Sequence, residues 1–159
     1  MGGFSQAGCW KLNARYNKDA IVERISIISK KHDAIIVYNQ DIIRLIDIYL
    51  PRYEKNAFIY FDPPYYNKSQ RLYKNFLSHN DHANIAERIL KNVISPWILT
   101  YDDVPEIQEL YRGMEIRRLD LNYSAANKGK ASEIIMCSDV NLYPTATEMT
   151  AAKICLNIR

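Results

Sequence analysis

Glycine is scarce in this chain. There are five in 159 residues, at positions 2, 3, 8, 113 and 129, and nowhere do two of them flank a single residue as G-x-G. A loop that lets bare backbone close on a small ligand is therefore not encoded in its usual form. Three cysteines, with no C-x-x-C spacing and none beside a histidine, exclude a disulfide framework and a thiolate metal site. They read as free thiols in a reducing compartment. His79 and His82 are the only close histidine pair, and they do not make a metal site by themselves. The apolar runs are strand-sized and broken by charges, and the first residues lack a basic, then apolar, then small-residue pattern. No membrane span or secretory signal is expected, which leaves the cytoplasm as the default location. The net charge of +3 permits an anionic partner without demanding one.

What is present is a core. With 48% hydrophobic residues, the chain is sized for one domain. "NKDAIVERISIISKK" offers Asn17 or Asp19 as a cap and Ile21, Val22, Ile25 and Ile28 at helical spacing. "AIIVY", 34 to 38, reads as a wholly apolar strand, and Asp41 can cap a helix over 42 to 50. The same unit recurs: strand "AFIYF", a helix from Ser78 to Val93 with Ala86, Ile89, Leu90 and Val93 on one face, and strand "WILTY". Asp103 and Glu106 are spaced as a capping box for a helix that stops at Gly113. Strands Glu115 to Tyr123 and Glu133 to Ser138, joined by a short polar loop, predict an antiparallel hairpin. Apolar strands alternating with helices predict three parallel strands with crossover helices, so the fold class is an open, mixed α/β sheet. Residues 139 to 159 read as a weakly structured tail.

Ligands of open α/β sheets bind at the carboxyl ends of the parallel strands. Those ends read Asn39-Gln40-Asp41, Asp62-Pro63-Pro64-Tyr65-Tyr66 and Thr100-Tyr101-Asp102-Asp103. Helix capping accounts for Asp41 as readily as function does, and for Asp103 more readily. It does not account for Asp62. Two prolines follow Asp62 and neither has an N–H, so Asp62 and Pro63 present acceptors and almost no donors on a stiff turn. That suits a group with two N–H bonds. Tyr65 adds a flat face, and stacking a base on an aromatic ring is worth about 1–3 kcal/mol. An exocyclic amino group on an aromatic base fits all three features, because acceptors on both N–H bonds push its lone pair out of the ring system towards an electrophile. Tyr66, Tyr73 and Trp97 read as packing.

"DPPY" at a strand end, taken with "WKLNARYNKD", "VYNQD", "FIYFDPPYY", "LYKNF", "WILTYDD" and "LNYSA" in that order, resembles the adenine-specific DNA methyltransferases of the alpha group from about Gly2 to Asp139. The resemblance implies methyl transfer from S-adenosylmethionine to adenine N6 in double-stranded DNA, on a base flipped out of the duplex. It implies that Asp62, Pro63, Pro64 and Tyr65 form the catalytic motif and that Asn39, Gln40, Asp41 and Asp62 line the cofactor. It also places Lys11, Arg15, Tyr123, Ser124 and Lys128 towards DNA. Lys11 and Arg15, with Lys18 beside them, read at least as well as a solvated helix entrance.

The family's F-x-G-x-G cofactor loop, its first two strands and most of its recognition domain have no counterpart here. The expected fold is thus an incomplete Rossmann-like methyltransferase sheet over 1–139, with an exposed apolar edge on the strand that carries Asp62. Such an edge seeks a homodimer partner or a polypeptide that carries the missing half. Three readings compete: a methyltransferase whose chain is inactive alone, an inert remnant that oligomerises or holds DNA, and an enzyme acting on RNA. The wider motif set disfavours the last.

Overall fold

The computed structural model describes residues 16–53, 56–67, 77–121, 131–145, 147–148 and 157–158. The chain forms two compact units, Met1–Asn39 and Gln40–Arg159. In the first, α1 (Lys18–Ser29) starts where the Asn17 side chain accepts from the Ala20 N–H at 3.3 Å. Its apolar residues Ile21, Val22, Ile25 and Ile28 are exposed. A single 3-10 turn follows at His32–Ala34.

The strand expected over 34–38 does not form. Residues 35–38 have no regular secondary structure, are exposed and enter no ladder, with Val37 85% accessible. A strand exists only through its partners, and the sheet's described strands all belong to the second unit.

In that second unit Asp41 caps the next helix, its carboxylate accepting from the Ile43 N–H at 2.9 Å and the Arg44 N–H at 3.3 Å. The helix opens as α2 (Ile42–Arg44), widens to a π-turn over Leu45–Tyr49 and tightens to a 3-10 turn over Leu50–Arg52. β1 (Ile59–Phe61) follows, then α3 (His79–Asn92), β2 (Trp97–Asp102), α4 (Pro105–Leu110), β3 (Arg117–Leu121), β4 (Ala131–Cys137) and the short β5 (Asn157–Ile158). The sheet order is β1-β2-β4-β3-β5. β1 and β2 are parallel, joined through α3, and the other pairings are antiparallel. The expected hairpin is therefore present, while only two of the three expected parallel strands are. β2 is an interior strand between β1 and β4, with every residue except Ile98 buried, as its largely apolar run demands.

Ser78 and Asp81 form a reciprocal capping box at the start of α3. Its buried face is His82, Ile85, Ala86 and Ile89, the i, i+3, i+4, i+7 set. Leu90, expected on that face, is 41% exposed one position beyond it. The capping box expected at Asp103 and Glu106 is absent as well. Pro105 takes the first helical position and makes Val104 the cap residue, so Asp103 instead accepts from Gln108 Nε2 at 2.6 Å and Arg118 Nε at 2.7 Å. Gly113 sits in the turn after α4 at φ 95°, a conformation that favours glycine.

The main core packs Phe61, Leu99, Tyr101, Ile134 and Met136 of the sheet against Ile46, Ile85, Ile89 and Ile107 of the helices. The alternate residues of β4, Ile135 and Cys137, face the opposite side with Leu119 and Tyr143. Past Asp139 the chain makes a 3-10 turn, Val140–Leu142, and buries Tyr143 to 4%. Among the described residues no helix is long and apolar enough to cross a membrane.

Candidate functional site

The carboxyl ends of β1 and β2 lie side by side, because Phe61 pairs with Leu99 in a parallel register. Asp62 therefore emerges next to Thr100. The Thr100 hydroxyl sits 2.8 Å from the Tyr60 hydroxyl and 3.5 Å from the Asp62 carboxylate. Asp62 itself is exposed, and Pro63, Pro64 and Tyr65 are half-buried behind it.

Beneath this turn is a pocket of about 470 Å³. Ile42, Leu45, Leu50, Phe61, Leu77, Ile85 and Ile89 form apolar walls, and Gln40, Asp41, Asp62, Pro63 and Pro64 supply the polar part of the lining. The first residues after the 34–38 segment thus meet the motif at the end of β1, all within the second compact unit. Tyr65 is not part of this lining. Asn39 is exposed and closes the other unit. Lys11, Arg15, Tyr123, Ser124 and Lys128 lie outside the described residues, as does Tyr73. Lys18 is the exposed first residue of α1.

Sequence reasoning missed what holds the turn. The carboxylate of Asp102, 6% exposed at the end of β2, accepts from the Tyr66 N–H at 2.9 Å and the Asn67 N–H at 3.1 Å. Glu133 of β4, directly opposite Asp102 in the antiparallel register, accepts from the Tyr65 hydroxyl at 2.5 Å. The signal for Asp102 was available, since a carboxylate that closes a buried strand needs donors. Glu133 carries no such mark in the sequence, because its relation to Tyr65 exists only once β2 and β4 pair.

Behind the turn is a buried aromatic group. His82 Nδ1 lies 2.7 Å from the Tyr101 hydroxyl, and the Tyr66 ring packs against both His79 and His82. Burial lowers the His82 pKa below its ordinary value, with Asp102 and Asp81 opposing the shift. The phenols of Tyr101 and Tyr111 are pushed far up by burial, so both stay protonated. Tyr66 and Trp97 pack as expected, Trp97 edge-on to Phe61. Among the described residues no group of acidic, histidine or cysteine side chains is arranged to hold a metal ion.

Chemically, Pro63 and Pro64 bring no N–H to the turn, and the exposed Asp62 carboxylate stands beside a largely apolar pocket. Residues 1–125 match the family model of the D12 class N6 adenine-specific DNA methyltransferases. No curated protein matches the chain.

Proposed function

The chain belongs to the D12 class of N6 adenine-specific DNA methyltransferases, and from that membership we propose that the Asp62 turn carries methyl transfer from S-adenosylmethionine to the N6 of an adenine turned out of double-stranded DNA. The observation that carries this reading is the union of Asp62, Pro63 and Pro64 with Gln40 and Asp41 around one pocket. The sheet then reads as part of a Rossmann-like methyltransferase fold, with its ligands at the carboxyl ends of β1 and β2.

The pocket's composition fits the flat adenosyl part of the cofactor, with aliphatic walls for the ring and polar groups for its edges. Gln40 and Asp41 are the residues to hold it, and Asn39 precedes them. When bound, this cofactor supplies an electrophilic methyl group on a sulfonium. The chain's own residues prepare the nucleophile. Asp62 and the Pro63 carbonyl accept the two N–H bonds of the adenine amino group, which localises its lone pair and offsets the positive charge that grows on nitrogen. Tyr65 stacks on the base. The prolines keep these acceptors fixed without any entropy left to lose at the moment of reaction. Lys11, Arg15, Tyr123, Ser124 and Lys128 are the candidates for contact with the DNA backbone and the border of the target base.

The test is transfer of label from radiolabelled S-adenosylmethionine into duplex DNA, followed by digestion to nucleosides. With a polypeptide that carries the cofactor loop absent from this sequence, we expect label in N6-methyladenine, lost in Asp62→Ala while the thermal midpoint is retained; the chain by itself should transfer none. Label in another nucleoside overturns the adenine reading, and an Asp62→Ala variant that still methylates removes Asp62 from the mechanism.

A further inference from the structure

Three consecutive residues, Tyr65, Tyr66 and Asn67, each give one donor to a carboxylate on the neighbouring strands: the phenol to Glu133 at 2.5 Å, and the two backbone N–H groups to Asp102 at 2.9 and 3.1 Å. The two acceptors are cross-strand partners on β2 and β4. Two acidic side chains opposite one another repel unless each has its own donors, and here each has. We propose that Asp102 and Glu133 are positioning residues, a two-point clamp that sets the plane of the Tyr65 ring and the course of the chain behind it. This rests on the reading of Tyr65 as the residue that stacks on the target base.

The demands on the two carboxylates differ. Asp102 must accept two N–H bonds with two oxygens, one on Tyr66 and one on Asn67. An asparagine there would turn an NH2 group towards one of those donors and leave it unpaired in a site that is 6% exposed. Glu133 accepts the phenol through Oε1. Upstream, Pro63 and Pro64 restrict the backbone, so the clamp fixes the downstream end and the turn is held from both sides.

The clamp is tested by amide hydrogen exchange on the full chain and by methyl transfer with the polypeptide that carries the cofactor loop present. In Asp102→Asn we expect the Tyr66 and Asn67 amides to exchange at least tenfold faster while β2 and β4 keep their protection. The same variant should lose at least tenfold in kcat with KM for DNA changed less than threefold. Glu133→Ala should lose at least half of the wild-type rate. Unchanged exchange at Tyr66 and Asn67 in Asp102→Asn overturns the clamp. If that variant fails to fold, the cycle of Tyr65→Phe, Glu133→Ala and the double variant decides: the double should lower the thermal midpoint no further than the worse single, and additive losses overturn the proposal. Wild type without methyl transfer in the presence of that polypeptide defeats the proposed function, whereas exchange and the thermal cycle still decide the clamp.

Discussion

The imidazole of His82 and the phenol of Tyr101 are joined by a 2.7 Å hydrogen bond across the α3–β2 interface, with His82 only 1% exposed. Burial holds the His82 pKa below its ordinary value near 6.5. The unfolded chain therefore binds a proton that the folded chain refuses. Stability from this group is fully present above about pH 6.5 and is lost as pH falls through the folded-state pKa. We predict that the urea midpoint declines from pH 7.5 to pH 5 in the wild type, and declines less in His82→Gln. An equal decline in both would assign the acid sensitivity to other groups.

Cys137 is 4% exposed, and burial pushes its thiol up to about 11. At pH 8 only about one molecule in a thousand then carries the reactive thiolate. Iodoacetamide at that pH should leave Cys137 unmodified in the folded protein and alkylate it in urea, read by mass spectrometry of its peptide. Rapid modification without denaturant would contradict the buried placement.

The Tyr143 hydroxyl serves two backbone groups at once, donating to the Glu115 carbonyl and accepting from the Cys137 N–H at 3.2 Å, with the Arg117 guanidinium over its ring. Tyr143→Phe leaves both backbone groups without that partner, at a cost of about 1–3 kcal/mol. Chemical denaturation should record the loss as a lower midpoint with an unchanged slope. A midpoint equal to wild type would show that these groups find other partners.

β1 is an edge strand among the described residues, bonded only to β2. Phe58, 58% exposed, adds an apolar side chain beside it. Edges of this kind template association, and a lysine there opposes it. Phe58→Lys should reduce concentration-dependent light scattering and leave the thermal midpoint within about 1–2 °C, since exposed surface changes cost little. Equal scattering in both proteins would clear this edge of any role.

The local rules in the sequence served best where one segment decides its own structure. Asn17 and Asp41 cap the helices that their positions announce, and "WILTY" is the buried interior strand that its composition demands. Asp103 misled because Pro105 outranks a capping box in setting where a helix begins. "AIIVY" misled because apolar character makes a segment competent for a ladder, and pairing depends on a neighbour elsewhere in the chain. At the site, Asp62 stood out through its prolines, which restrict the backbone whatever surrounds them. Thr100, Asp102 and Glu133 acquire their roles from strand register, a long-range property that no window of sequence contains.

The distance along the chain between Tyr65 and Glu133 is 68 residues. At synthesis rates of about 5–20 residues per second, about 3–14 s pass between the making of the tyrosine and of its acceptor. During that interval the motif at the end of β1 exists chemically and lacks the contact that orients it. The order of translation thus makes the Asp62 turn one of the last parts of the fold to become set, and a nascent chain halted before β4 displays the signature of the site without its geometry.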